Sequence, residues 1–196
     1  MTRQVSLILR MAALALIVLA FLPAAFAQYA AQVFGSGYAR DCYEAVKDRK
    51  HDAVKALQTC DVALEQEQIS ERNRAATHVN RGILFMRGGQ HDRAMADYRK
   101  GLVIAPGMPE AEINLGAALY YLGRFEEAVA ALDRGIAVEN IVARAAAYYN
   151  RAIALEQLGR VEQAYSDYKT ALRLDPDLAP AQRQLQRFRL VPVSVP

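Results

Sequence analysis

The chain has no tryptophan, two cysteines and three histidines among 196 residues. Those shortages remove several kinds of chemistry at once. A zinc site needs clustered Cys and His ligands; Cys42 and Cys60 are widely spaced, with no such cluster around them. His51 and His91 each precede an Asp, a pairing that can bind metal, but both fall at inter-helix turns and read as exposed turn residues. There is no glycine-rich phosphate loop behind a strand pattern and no serine in a nucleophile elbow. The expectation is a non-enzymatic protein with no catalytic residues, no metal ligands and no cofactor. An excess of one charge is lacking too: 24 Lys and Arg stand against 21 Asp and Glu. The two signs are interspersed, as on solvated helix surfaces, and offer no basic field for nucleic acid.

What is present begins with a leader. Arg3 and Arg10 flank a basic opening, residues 11–22 are uninterruptedly apolar, and Pro23 ends the run. Ala25-Phe26-Ala27 is a small-x-small cleavage signal. The run is short for a membrane span. Residues 1–27 are therefore expected to be a cleaved signal peptide, leaving Gln28 first, in a periplasmic or secreted bacterial protein with no span after cleavage. The other reading keeps the segment as an uncleaved anchor. Without Arg3 and Arg10 the net charge falls to about +1, so the pI of 8.9 overstates the mature protein.

The rest is organised around residues 80–106, NRGILFMRGGQHDRAMADYRKGLVIAP. Val79, Gly82, Ile83 and Met86 recur at helical spacing before Gly88-Gly89; Ala94, Met95, Tyr98, Gly101 and Leu102 do so after it. Small residues at 82 and 94 would let two antiparallel helices approach closely. A shift of 34 residues carries Asn80, Gly82, Gly89, Ala94, Tyr98 and Gly101 onto Asn114, Gly116, Gly123, Ala128, Leu132 and Gly135. A further shift of 36 gives Asn150, Ala152, Gly159, Ala164, Tyr168 and Ala171. Pro106 and Pro176 close the first and third units, and Asn140 stands in the second's place. A hairpin of this size cannot bury its own apolar face and has to stack on copies of itself.

This pattern resembles the tetratricopeptide repeat family: the small residue of the first helix, the turn glycine, the alanine of the second helix, the aromatic or leucine four residues on, and the closing proline. The resemblance implies an all-α solenoid of antiparallel helix pairs. Its expected divisions are a flexible linker over 28–37, a degenerate hairpin and connector over 38–74, repeats over 75–108, 109–144 and 145–177, a capping helix over 178–190 and a tail over 191–196. Ser70, followed by Glu71, reads as a helix N-cap in the connector. In the degenerate hairpin, folding about residues 50–51 brings Cys42 level with Cys60. With export, that favours a disulfide worth roughly 3 kcal/mol in the chain-entropy model; the alternative is two buried thiols.

In the resembled family the first helices line a concave surface. Asn80, Asn114 and Asn150 are similar to asparagines that hold an extended peptide backbone, since a carboxamide offers donors and an acceptor without regard to side chain. The alternative is a hydrogen bond across helices inside each repeat. Ile83, Arg87, Tyr120 and Tyr149 would line the same groove. The family's grip on acidic chaperone tails also uses basic residues, and Ala76, Val79 and Ile83 are apolar where some of these would fall. The implied function is non-catalytic: a scaffold or adaptor holding a peptide segment of a protein partner in its groove. The other reading is a structural subunit of an envelope assembly that uses its convex face or ends.

Overall fold

The computed structural model describes residues 8–9, 28–48, 52–188 and 190–191. Nine helices stand among them: α1 (Tyr38–Lys47), α2 (Ala53–Glu65), α3 (Glu71–Arg87), α4 (His91–Ile104), α5 (Pro109–Tyr121), α6 (Phe125–Gly135), α7 (Ile141–Gln157), α8 (Val161–Leu174) and α9 (Ala179–Leu185). One two-residue antiparallel ladder joins β1 (Ile8–Leu9) to β2 (Leu190–Val191). The fold is an all-α repeat solenoid.

Local chemistry starts and stops these helices. Asp52 accepts from the Val54 amide at 2.8 Å, Ser70 from Asn73 at 3.3 Å and Asn140 from Ala143 at 3.0 Å. Each satisfies one of the amides that a helix N-terminus leaves without a partner. Asn140, standing where a closing proline was expected, is thus the N-cap of α7. The helices α3, α5 and α7 end in the same two-bond turn. Gly89, Gly123 and Gly159 adopt φ of 70°, 73° and 69°. The next residue's amide reaches back five positions: Gln90 to Phe85, Arg124 to Leu119 and Arg160 to Leu155, each at 2.9 Å. This left-handed turn favours glycine, which is why the repeat carries one there.

Pairs α3–α4, α5–α6 and α7–α8 stack in order, with α3, α5 and α7 side by side. A Cβ on Gly82 would stand 2.5 Å from the Tyr98 ring, and one on Gly116 2.5 Å from Leu132. The small position therefore admits the large residue of the opposing helix, and Tyr98, Leu132 and Tyr168 are fully buried. At the N-terminal end Cys42 of α1 and Cys60 of α2 form a disulfide with Cα atoms 4.9 Å apart.

Two expectations change. Residues 28–34 are a packed extended segment instead of part of a flexible linker: Ala31 and Val33 are fully buried while Gln32 and Phe34 are exposed. Over 31–34 burial alternates, the behaviour of a strand lying on an apolar surface, while Gln28, Tyr29 and Ala30 are each half-buried. The capping helix α9 covers seven residues, less than its expected span. Of the expected leader, residues 1–7 and 10–27 lie outside the described residues, as do 192–196 of the tail.

Candidate peptide groove

The helices α3, α5 and α7 set Asn80, Asn114 and Asn150 at equivalent places, and all three are fully buried. Two of the carboxamides face the backbone of the extended segment. Asn114 Nδ2 donates to the Tyr29 carbonyl at 2.8 Å, and its Oδ1 accepts from the Tyr29 amide at 3.1 Å. Asn80 does the same for Ala31, at 2.8 Å and 2.9 Å. Each asparagine thus satisfies both polar groups of one residue, and successive repeats hold residues two apart. Running N to C, the segment passes from the second repeat towards the first.

Asn73, two turns before Asn80 on α3, extends the series: it donates to the Phe34 carbonyl at 2.7 Å and accepts from the Phe34 amide at 3.1 Å. Arg40 on α1 donates to the Val33 carbonyl at 3.1 Å. Tyr29 fits among Ile113, Leu132, Val138, Ala143 and Ala147, and its hydroxyl donates to the Val142 carbonyl at 2.9 Å. Burial, then the charge of Asp175, pushes its phenol up to about 12.

The other expected groove residues divide. Arg87 is exposed in the last turn of α3. Tyr120 is half-buried, edge-on to Tyr121 at 5.8 Å and tilted on Phe125 at 5.4 Å. Burial, with Glu156 second, raises its pKa. Ile83 and Tyr149 are 0% and 2% exposed and lie in one buried cluster with Ala31 and Val33 of the segment. Tyr149 packs on Tyr168 with ring centroids 5.9 Å apart, and burial is the largest cause lifting its phenol to about 12. The reason is geometric: a closely packed first helix has few faces open, and the extended segment covers much of what remains.

Behind the groove run charged ties between repeats. Arg81 bonds Asp97 through Nε and Nη2 at 2.7 and 2.8 Å, and Asp61 of α2 through Nη1 at 2.7 Å. Arg151 repeats this with Asp167 at 2.7 and 2.8 Å and with Asp133 of α6. Burial would raise the Asp97 carboxyl, but bonds from Arg81 and His78 hold it below its ordinary value. These bidentate forks lock α4 to α3 and α8 to α7, and the third bond of each arginine ties its pair to the preceding helix. Among the described residues, no group of three or more His, Cys, Asp or Glu could hold a metal ion, and no helix is long and apolar enough to cross a membrane.

Two models of the tetratricopeptide repeat match the sequence, one over residues 85–147 and one over residues 145–178. The chain is a tetratricopeptide repeat protein. RNA polymerase II-associated protein 3 of Homo sapiens is 29% identical over 148 residues, covering 72% of this chain and 22% of that protein. Photosystem I assembly protein Ycf3 of Synechococcus sp. (strain CC9605) is 34% identical over 90 residues, covering 46% of this chain and 50% of that one. The chain thus spans about a fifth of the first relative and half of the second. Among solved structures, the first tetratricopeptide domain of Spaghetti (RPAP3), bound to the HSP90 peptide SRMEEVD, superposes with a TM-score of 0.54 at 26% identity, over 58% of this chain and 88% of that one. MamA shares the fold, with a TM-score of 0.63 at 22% identity over 78% of this chain and 82% of its own.

In this tetratricopeptide protein, sequence reasoning missed Asn73, Arg40 and the occupying segment. The segment had a weak signal, the alternation Tyr29-x-Ala31-x-Val33 beside a polar Gln32. Asn73 had none, since it has no counterpart in the other repeats. The charged forks were missed too, although the repeat carries a signal for them: Arg81 and Arg151 each precede an Asp by 16 positions, and that Asp precedes Tyr98 or Tyr168.

Proposed function

We propose that this protein is a non-catalytic interaction module that holds an extended peptide segment of a protein partner in its concave groove. The carrying observation is the paired donor and acceptor that Asn114 offers Tyr29, repeated by Asn80 on Ala31. Such pairs read main chain, so they suit any extended peptide whose side chains fit. The tetratricopeptide domain of RPAP3, which carries an HSP90 peptide, supports peptide binding as the general use of the scaffold. We further propose export to the periplasm or the medium, supported by the leader in the sequence and by the disulfide.

One observation favours a second reading. The groove is occupied by the chain's own residues 29–34, so the asparagines could be architecture, and the protein a structural subunit of an envelope assembly that works through its convex face or ends. The test selects peptides from a display library against the unaltered protein, then measures affinity and melting temperature together on Asn114→Ala. Groove binding predicts selected peptides whose affinity falls by about 1–3 kcal/mol, since a polar peptide unit loses both partners in a desolvated site. A lower melting temperature with unchanged affinity per folded molecule would make the ladder architecture and end the groove reading.

A further inference from the structure

We propose that residues 28–34 are a built-in competitor for the groove, and that the side chains they bury state which partner it prefers. This rests on the peptide-groove reading above. The favoured occupant is an extended, uncharged peptide with a tyrosine, a small residue and a β-branched residue at alternate positions.

The segment is held like a ligand. Every hydrogen bond described for its backbone goes to a side chain, from Asn114, Asn80, Arg40 or Asn73; none belongs to a helix or a ladder. It can therefore leave without unwinding secondary structure. Each inward position meets a distinct site. The half-buried Tyr29 ring packs on the apolar cluster of Ile113, Leu132 and Ala147, and the Val142 carbonyl accepts from its hydroxyl at the surface. Ala31 and Val33 are fully enclosed, leaving no room for anything longer at position 31. Gln32 and Phe34 face outward and carry no such restriction. The side chains of residues 28–34, QYAAQVF, bear no charge. The groove that encloses them suits an apolar strand better than an acidic tail such as SRMEEVD, the peptide on the RPAP3 domain.

The segment is also tethered for exchange. Gly35 has φ of 94° with open space around its Cβ position, so the chain can turn there freely. Beyond it the chain is fixed: Glu67 Oε2 accepts from the Ala39 amide at 2.9 Å, and the disulfide staples α1 to α2. Hinge and anchor together keep the segment near the groove whether seated or not. A tether this short gives an effective concentration on the order of millimolar, which an external peptide has to outcompete. The apparent affinity for a partner is lowered by the fraction of time that the groove is open.

The experiment uses the full chain and a labelled heptapeptide of residues 28–34, beside a second peptide with Tyr29 exchanged with Gln28, Ala31 with Gln32 and Val33 with Phe34. In Ala31→Arg the enclosed position receives a long charged side chain, so the tethered segment is ejected. We expect this variant to bind the heptapeptide about tenfold or more tighter than the unaltered chain does, with the exchanged peptide bound much more weakly. In the unaltered chain, excess heptapeptide should speed hydrogen exchange at the amides of Tyr29 and Ala31. Equal binding of both peptides would overturn the preference while leaving the groove reading intact. A folded variant that binds neither peptide would overturn both. Loss of the helical fold in Ala31→Arg, or unaltered exchange at saturating peptide, would show that the segment is an integral part of the core and overturn the competitor.

Discussion

Two tyrosines at equivalent places show how much a single partner decides. Tyr98 and Tyr168 each fill the gap opposite a small residue, and both are fully buried. The Tyr168 hydroxyl donates to Glu156 Oε2 at 2.6 Å, whereas the Tyr98 hydroxyl has no hydrogen-bond partner among the described residues. Met86 occupies in the first repeat the place that Glu156 holds in the third. Burial pushes both phenols well above their ordinary pKa, so both stay protonated across the physiological range. The two Tyr→Phe substitutions should therefore differ. Tyr98→Phe removes a buried hydroxyl that gains nothing and should leave stability unchanged or slightly raised. Tyr168→Phe removes a bond to a carboxylate and should cost about 1.5–3 kcal/mol. Urea unfolding of both variants checks this; equal losses would mean that the Tyr98 hydroxyl has a partner in solution.

At the scale of elements, the N-terminal hairpin is the weakest unit and the one with a covalent tie. The helix α1 buries Ala39, Cys42, Ala45 and Val46, mostly small residues, and α2 buries only Ala56, Cys60 and Ala63. So little apolar surface gives little hydrophobic stabilisation. The bridge between positions 42 and 60 closes an 18-residue separation. Its loss should cost about 3 kcal/mol in the chain-entropy model. Cys60→Ala should lower the melting temperature of the oxidised protein markedly and change it little when both proteins are melted in reductant. Equal melting temperatures under oxidising conditions would show that the bridge adds no stability. Because α1 anchors the chain just after the Gly35 hinge, the same variant should also loosen residues 28–34.

At the scale of the whole molecule, export and groove occupancy meet at one place. The expected cleavage after Ala27 would put the new N-terminus one residue before Tyr29, at the end of the occupying segment. The paired residues Ile8 and Leu9 would leave with the leader, and a ladder of two residues contributes too little to oppose that. Protein recovered from the native host should therefore begin at or near Gln28 on N-terminal sequencing. Recovery of intact chain embedded in a membrane would contradict this and keep residues 1–27 as an anchor.

How much the sequence determined varies with the range of the interaction. The repeats, their turn glycines and the cap at Ser70 are local, because a left-handed turn or an unsatisfied amide is resolved within a few residues. The stacking order followed from the period of 34 to 36, since equivalent apolar faces have few ways to bury one another. The asparagine positions were legible for the same reason: they repeat. The occupant was not. Residues 28–34 have no repeat partner and no helical period, and their weak alternation acquires meaning only opposite α3 and α5, 49 to 85 positions away. The core places of Ile83 and Tyr149 were likewise set by what packs over them. Periodicity names the face of a helix; only the assembled groove decides whether that face meets solvent, a neighbouring helix or the chain's own extended end.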